Sequence, residues 1–267
     1  MHHAPGAVSV GSSARARGLV VYLPPWADEM NKSRRMARLQ SRLLAAHGFA
    51  VLQIDPTGCG DSSGDHGWAN WAQWVEDGCD ALQWLVQRYP DAPRLLWGLR
   101  SGCLLACEIA AKTPDPVAML LWNPPASGRQ QWQQFLRLAT ASALTGDAGK
   151  ARADAIKERL RQGLPIEVAG YAVAPELSQG LDASTMKAPD RLVAAEILET
   201  NAQQGGDLSP ALAAIAENWR TQGHRVRAHR VQGPAFWQTT EIEDAPDLLP
   251  ATLSAALQLV AEPWPAM

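Results

Sequence analysis

Along the chain, short apolar runs alternate with longer amphipathic stretches. The run Gly18-Leu19-Val20-Val21-Tyr22-Leu23 stops at Pro24-Pro25. Two prolines cannot continue a central ladder, so this predicts a strand that ends in a loop. The polar stretch from Trp26 to Lys32 reads as that loop. A helix is predicted over 33–47, with Ser33 as its N-cap, Met36, Leu39, Leu43 and Leu44 as its apolar stripe, and Gly48 ending it. Phe49 to Ile54 is again strand-like and runs into the turn-rich Asp55-Pro56-Thr57-Gly58-Cys59-Gly60-Asp61-Ser62-Ser63-Gly64. The pattern then predicts a helix over 71–88 with Trp74, Ala81, Leu82 and Leu85 facing inward, a strand over 94–97, a helix over 101–112 and a strand over 117–122. Strands that are apolar throughout, each separated by a helix, imply a parallel sheet covered on both faces. Ligands in such sheets sit outside the carboxyl ends of the strands.

From Ser127 to Pro189 the alternation lapses. Helices are expected over 130–144 and 150–161, and 165–184 reads as irregular, so residues 127–189 are expected to form a cap inserted between core segments 1–126 and 190–267. The alternation resumes with a strand over 191–198, a helix over 209–222, a strand over 225–231 and a helix over 248–260. Before Gly18 there is room for one short strand around Ala7 to Val10. So short an edge leaves ladder groups unpaired, which makes a homodimer through an edge or the cap an expectation.

Composition narrows the function. With 267 residues, 46% of them hydrophobic, the chain is long enough to bury one sizeable core. Lys and Arg number 24 against 27 Asp and Glu, a net charge of −3, which gives no broad positive field for nucleic acid. Mean hydropathy of −0.18, with no apolar run of about 20 residues, argues against a membrane span. The start lacks a basic stretch followed by an apolar one, so a cytoplasmic protein is expected. Cys59, Cys79, Cys103 and Cys107 make no zinc pattern and are too few for a disulfide scaffold, so they read as reduced, mostly buried thiols. No metal or cofactor motif is present.

Strand, then Gly98-Leu99-Arg100-Ser101-Gly102, then helix has the form of the nucleophile elbow of α/β-hydrolases. Two glycines four apart relieve crowding where the backbone turns most sharply. Asp55-x-x-Gly58-x-Gly60-x-Ser62-x-Gly64 is the loop found beside the active site in many of them, and Pro24-Pro25-Trp26 stands where that fold supplies part of its oxyanion hole. The fold expected is therefore an α/β-hydrolase, with a mostly parallel sheet, helices on both faces and an inserted cap. Leu23 to Met36, Gln53 to Asp65, Leu96-Trp97-Gly98-Leu99-Arg100 and Gly233-Pro234-Ala235-Phe236-Trp237-Gln238 together resemble the exosortase A system-associated hydrolases of type 2. That resemblance implies a bacterial protein of an exopolysaccharide and protein-sorting system, with pathway proteins among its partners.

The elbow itself departs from hydrolase chemistry. With Gly98 and Gly102 as the frame, the apex is Arg100, whose guanidinium stays protonated and cannot be a nucleophile. Ser101 is then the first helical residue, offering its backbone N–H to an oxyanion hole while its hydroxyl points away from the apex. The segment 233–239, where the fold places its histidine, has none; His224 precedes the last strand and His229 lies within it. Glu199 or Asp207 could supply an acid, but without a base to orient it has no triad role. A cation at a helix N-terminus is disfavoured by roughly 0.3–1 kcal/mol, so a negative group should accompany Arg100. Two readings stand open: an internal pair with Asp28, Glu29 or Asp55, or a bound anionic or acyl ligand held by Arg100 with Trp26, Glu29, Ser101 and Trp237. Cys59 with His66 is a further nucleophile candidate. Arg34, Arg35, Arg38 and Arg42 form a basic stripe that reads as a solvated face. Trp68, Trp71, Trp74, Trp132, Phe135 and Trp237 are candidates to line an apolar pocket under the cap.

Overall fold

The computed structural model describes residues 7–9, 15–141, 146–203 and 205–265. Nine strands and eight α-helices are described. In chain order they are β1 (Ala7–Ser9), β2 (Leu19–Leu23), α1 (Ala27–Ala46), β3 (Ala50–Gln53), α2 (Trp71–Arg88), β4 (Arg94–Leu99), α3 (Ser101–Lys112), β5 (Val117–Trp122), α4 (Gly128–Ala141), α5 (Gly146–Arg161), β6 (Ile166–Val168), β7 (Tyr171–Val173), α6 (Pro175–Ala183), β8 (Leu192–Asn201), α7 (Pro210–Thr221), β9 (Val226–Gln232) and α8 (Leu248–Ala261). Seven strands form one sheet in the order β1-β3-β2-β4-β5-β8-β9. Six are parallel, and β1 closes one edge antiparallel to β3. This is the doubly covered, mostly parallel sheet that the alternation of apolar strands and helices predicts, and the α/β-hydrolase fold that the elbow motif leads us to expect.

Each strand of β2, β4 and β5 is buried along its whole length, as a sheet covered on both faces requires. Val20, Leu95, Trp97, Leu120 and Trp122 pack under α1 and α8, and Val21, Leu96, Met119 and Ile197 pack under α2, α3 and α7. Between β5 and β8 the chain leaves the sheet to form α4, α5, a two-stranded hairpin of β6 and β7, and α6. Trp132, Phe135, Leu177 and Leu181 from this excursion join the α2 and α3 side of the core.

Two local expectations are corrected. Helix α1 starts at Ala27, not at Ser33, and Ser33 is a buried interior residue whose hydroxyl donates to the Met30 carbonyl at 3.1 Å. The polar first turn hid this start: Asp28 and Glu29 carry no apolar periodicity, yet acidic residues suit the positive end of the helix dipole. The stretch 165–184 is not irregular but folds as the hairpin and α6. Its strands are only three residues each, and Ala169-Gly170 turns between them with positive φ at both positions, too short a pattern for alternation to reveal. No helix among the described residues is long and apolar enough to cross a membrane.

Candidate functional site

The chain passes from β4 into α3 through a single strained residue. Arg100 has φ 55° and ψ −121°, a conformation that L-residues rarely adopt. The glycines on either side are there for space: a Cβ on Gly98 would lie 2.6 Å from the Cys103 amide nitrogen, and one on Gly102 would lie 2.0 Å from the Leu23 carbonyl oxygen. Both contacts are with backbone, so neither position accepts a side chain. The apex is thus Arg100, held by its N–H to the Trp122 carbonyl at 3.0 Å and by its own carbonyl to the Cys103 N–H at 2.9 Å.

Ser101 opens α3 and is buried. Its hydroxyl oxygen accepts the backbone N–H of Trp26 at 3.0 Å. Trp26 is the last residue before α1, where this fold points an N–H toward an oxyanion. That donor is occupied by the chain's own hydroxyl.

The Arg100 side chain, 11% exposed, lies against Glu29 in the first turn of α1. Its Nε and Nη2 both reach Glu29 Oε1 at 3.4 Å, and Nη2 also donates to Gln134 Oε1 at 2.8 Å. The guanidinium carbon stands 5.5 Å from the centre of the Trp237 ring, a cation–π distance. Of the three candidate counterions, Asp28 instead pairs with Lys32 at 2.8 Å and Asp55 with Arg34 at 3.0 Å. Glu29 also accepts from Gln131 Nε2 at 3.2 Å and from Gln238 Nε2 at 3.5 Å. Burial pushes its carboxyl above the ordinary value of 4.5, and Arg100 only partly opposes this.

Beside this group opens a cleft of about 250 Å³ lined by Trp26, Asp28, Glu29, Lys32, Phe135 and Trp237, together with Ala27 and the amides of Gln131, Gln134 and Gln238. Arg100 is not on its wall; Glu29, Gln134 and Trp237, which are, stand against the guanidinium. Trp26 and Phe135 pack at 4.3 Å between ring centroids, with Trp132 behind them at 5.7 and 5.9 Å. The structure therefore brings Trp26, Glu29, Arg100, Ser101 and Trp237 to one place. Gln131 and Gln134 escaped notice in the sequence, although the run Gln130-Gln131-Trp132-Gln133-Gln134-Phe135 sets two amides and two aromatics at i, i+3 on one helix face.

Other candidates fall away. The Cys59 thiol is pushed up to about 12 by burial and by neighbouring Asp55, so it carries no thiolate at neutral pH; the side chain of His66, its suggested base, lies outside the described residues. His229 Nε2 sits 2.7 Å from Glu196 Oε2 on β8. Glu199 accepts the Ser209 N–H at 2.7 Å and serves the start of α7. Trp68 does not line a pocket: it is 86% exposed. Trp71 and Trp74 donate to Glu108 and to the Thr57 carbonyl. In the basic stripe, Arg34 and Arg35 pair with Asp55 and Asp244, and Arg38 and Arg42 are exposed. Among the described residues no group of three or more His, Cys, Asp or Glu side chains could hold a metal.

A sequence model of the family described as serine aminopeptidase, S33 matches residues 15–189, which include the elbow and the Gly-rich loop. The chain belongs to the S33 family. Solved structures agree on the fold of this S33-family chain. Est1E from Butyrivibrio proteoclasticus, solved with ferulic acid, superposes with a TM-score of 0.64 at 13% identity, covering 97% of this chain and 96% of that one. A lipase in its open form gives 0.61 at 17%, covering 95% and 92%. A thermostable carboxyl esterase from Bacillus coagulans, in complex with glycerol, gives 0.60 at 15%, also covering 95% and 92%. At these identities the likeness is one of fold. No curated protein matches in sequence.

Proposed function

We propose that this S33-family chain is a ligand-binding protein on a hydrolase fold, its serine triad lost. The observation that carries the reading is Arg100 at the φ 55° apex, its guanidinium committed to Glu29 and Gln134. A protonated guanidinium has no lone pair with which to attack an acyl carbon. Two further features support it: the Trp26 N–H is spent on Ser101 Oγ, and Phe236 and Trp237 fill the segment after β9 where a histidine would stand. An anionic group would reach Arg100 only by displacing Glu29, because the cleft wall is Glu29 and not Arg100.

The resemblance of the motifs around Pro24, Asp55 and Gly233 to exosortase A system-associated hydrolases supports a role beside the exopolysaccharide and protein-sorting machinery of a bacterium. A second reading has its own support. The family match and the esterase and lipase neighbours favour an active hydrolase on an ester or thioester, acting through residues other than a serine triad. A panel of chromogenic acyl esters and thioesters of short and long chain separates the two. Hydrolysis at the buffer rate is expected; turnover that disappears in Ser101→Ala or Cys59→Ala would overturn the binding reading.

A further inference from the structure

The outer face of α1 divides by charge. The segment after β9 runs alongside the first turns of this helix: Gln238 Nε2 meets Glu29 Oε1 at 3.5 Å, Arg35 Nε meets Asp244 Oδ1 at 2.7 Å, and the Ala245 N–H reaches Met36 Sδ at 3.5 Å. Between the first and second of these contacts lie Glu241, Ile242 and Glu243, all exposed, Ile242 at 74%. They therefore flank the N-terminal end of α1. Arg38 and Arg42, three and seven residues beyond Arg35, continue its face of the helix toward the other end and are also exposed. Among the described residues, neither of those glutamates and neither of these two arginines has an ion-pair partner. Leu39 and Leu43, half-buried, border the arginines.

A free acidic end and a free basic end on one helix face are complementary to the same face turned end for end. A twofold interface makes that demand, because one patch must fit a second copy of itself. With two α1 helices antiparallel, Arg38 and Arg42 of one copy meet Glu241 and Glu243 of the other, and the opposed helix dipoles attract as well. Ile242 then lies against Leu39 and Leu43 of the other copy. One exposed isoleucine needs no explanation by itself; here it supplies the apolar centre of a patch whose rim is charged, the usual layout of an interface. The open edge of the sheet fits a second copy less well. Arg227, His229 and Arg230 fall within the seven residues of β9, and basic side chains on an edge strand repel their own kind.

We infer that the chain forms a homodimer through antiparallel α1 faces and the segment 239–244, rather than through a sheet edge or the cap. Exposed ion pairs are individually weak and are screened by salt, so the dimer is weak and salt-sensitive. It does not depend on what the cleft binds.

The test is sedimentation velocity of the full chain at rising concentration in about 0.05 M and about 0.5 M sodium chloride. A dimer is expected at micromolar concentrations in low salt, with a dissociation constant roughly tenfold higher or more in high salt. Arg38→Glu with Arg42→Glu, and separately Glu241→Arg with Glu243→Arg, should each be monomeric while keeping the circular dichroism of the parent chain. Mixed in equal amounts, the two double variants should associate, because each patch is then complementary to the other. Ile242→Ser should weaken the parent dimer. The inference is overturned if the chain stays monomeric at roughly 0.1 mM in low salt, if its dimer ignores salt, if either charge variant dimerises alone, or if the mixture does not associate. Should a charge variant fail to fold, the salt dependence of the parent chain and the behaviour of Ile242→Ser decide.

Discussion

Two arginine–glutamate contacts lie beneath the surface, and they are built differently. At the β9 edge, Glu196 is fully buried and takes Arg227 Nε on one oxygen and His229 Nε2 on the other. Arg227 continues to Glu262 at 2.6 Å, which Arg225 also meets at 2.9 Å. Every charge there has a close partner, and Glu262 is held below its ordinary value by the hydrogen bond from Arg227. At the elbow, two guanidinium nitrogens share one oxygen of Glu29 at 3.4 Å, amides fill the remaining places, and burial pushes the Glu29 carboxyl up. The edge network ties β9 to the end of α8 and leaves only Arg227 Nη2 of its guanidinium nitrogens buried without a partner. The elbow pair is loose, costs more in desolvation than its partner returns, and faces a cleft through its amides. A contact of that second kind is poor scaffolding, and the binding proposal rests on that difference.

That contrast can be broken by substitution. Glu196→Gln should cause the largest loss, roughly 2–3 kcal/mol in urea unfolding, since it withdraws the buried charge from two hydrogen bonds, and it should leave ligand binding unchanged. Ser101→Ala strands the Trp26 N–H and should cost about 1–2 kcal/mol, with ester hydrolysis expected to stay at the buffer rate as in the parent chain. Glu29→Gln should cost less than Glu196→Gln at neutral pH, because an amide oxygen at that position still accepts from Arg100 and the 3.4 Å contact it replaces is long; a loss equal to that of Glu196→Gln would erase the distinction between the two pairs.

The pH dependence should separate them further, with opposite signs. The folded value of Glu29 lies above 4.5, so the folded chain holds that proton more tightly than the unfolded chain. Its contribution is present in acid and is lost as pH rises from about 4.5 through the folded value. The folded value of Glu262 lies below 4.5, so its contribution is present above 4.5 and lost as pH falls through the folded value. Denaturant midpoints against pH should therefore show Glu29→Gln flattening the decline above 4.5 and Glu262→Gln flattening the decline below it.

How much of this was legible in the sequence follows the range of the interactions. The sheet was readable because its strands are apolar on both faces and each is followed by a helix. The elbow was readable because only glycine fits at 98 and 102, which fixes the frame and puts Arg100 at its apex. Glu29 could be named among three acids but not singled out, since the choice depends on where α1 begins, and the polar turn over 27–32 hid that. The hairpin of β6 and β7 was missed because three-residue strands carry too little alternation. Gln131, Gln134 and Gln238 went unread because amides acquire a role only from the charged groups they meet. The Ser101 to Trp26 bond joins residues 75 apart in the chain, a distance at which only the fold decides who is neighbour to whom.

The central claim, that the elbow presents no activated nucleophile, is met most directly by treating the folded chain with a fluorophosphonate probe and measuring its intact mass. The account predicts an unmodified mass after prolonged exposure at neutral pH. A single phosphonyl increment that is lost in Ser101→Ala would contradict it and restore an acyl-transfer enzyme.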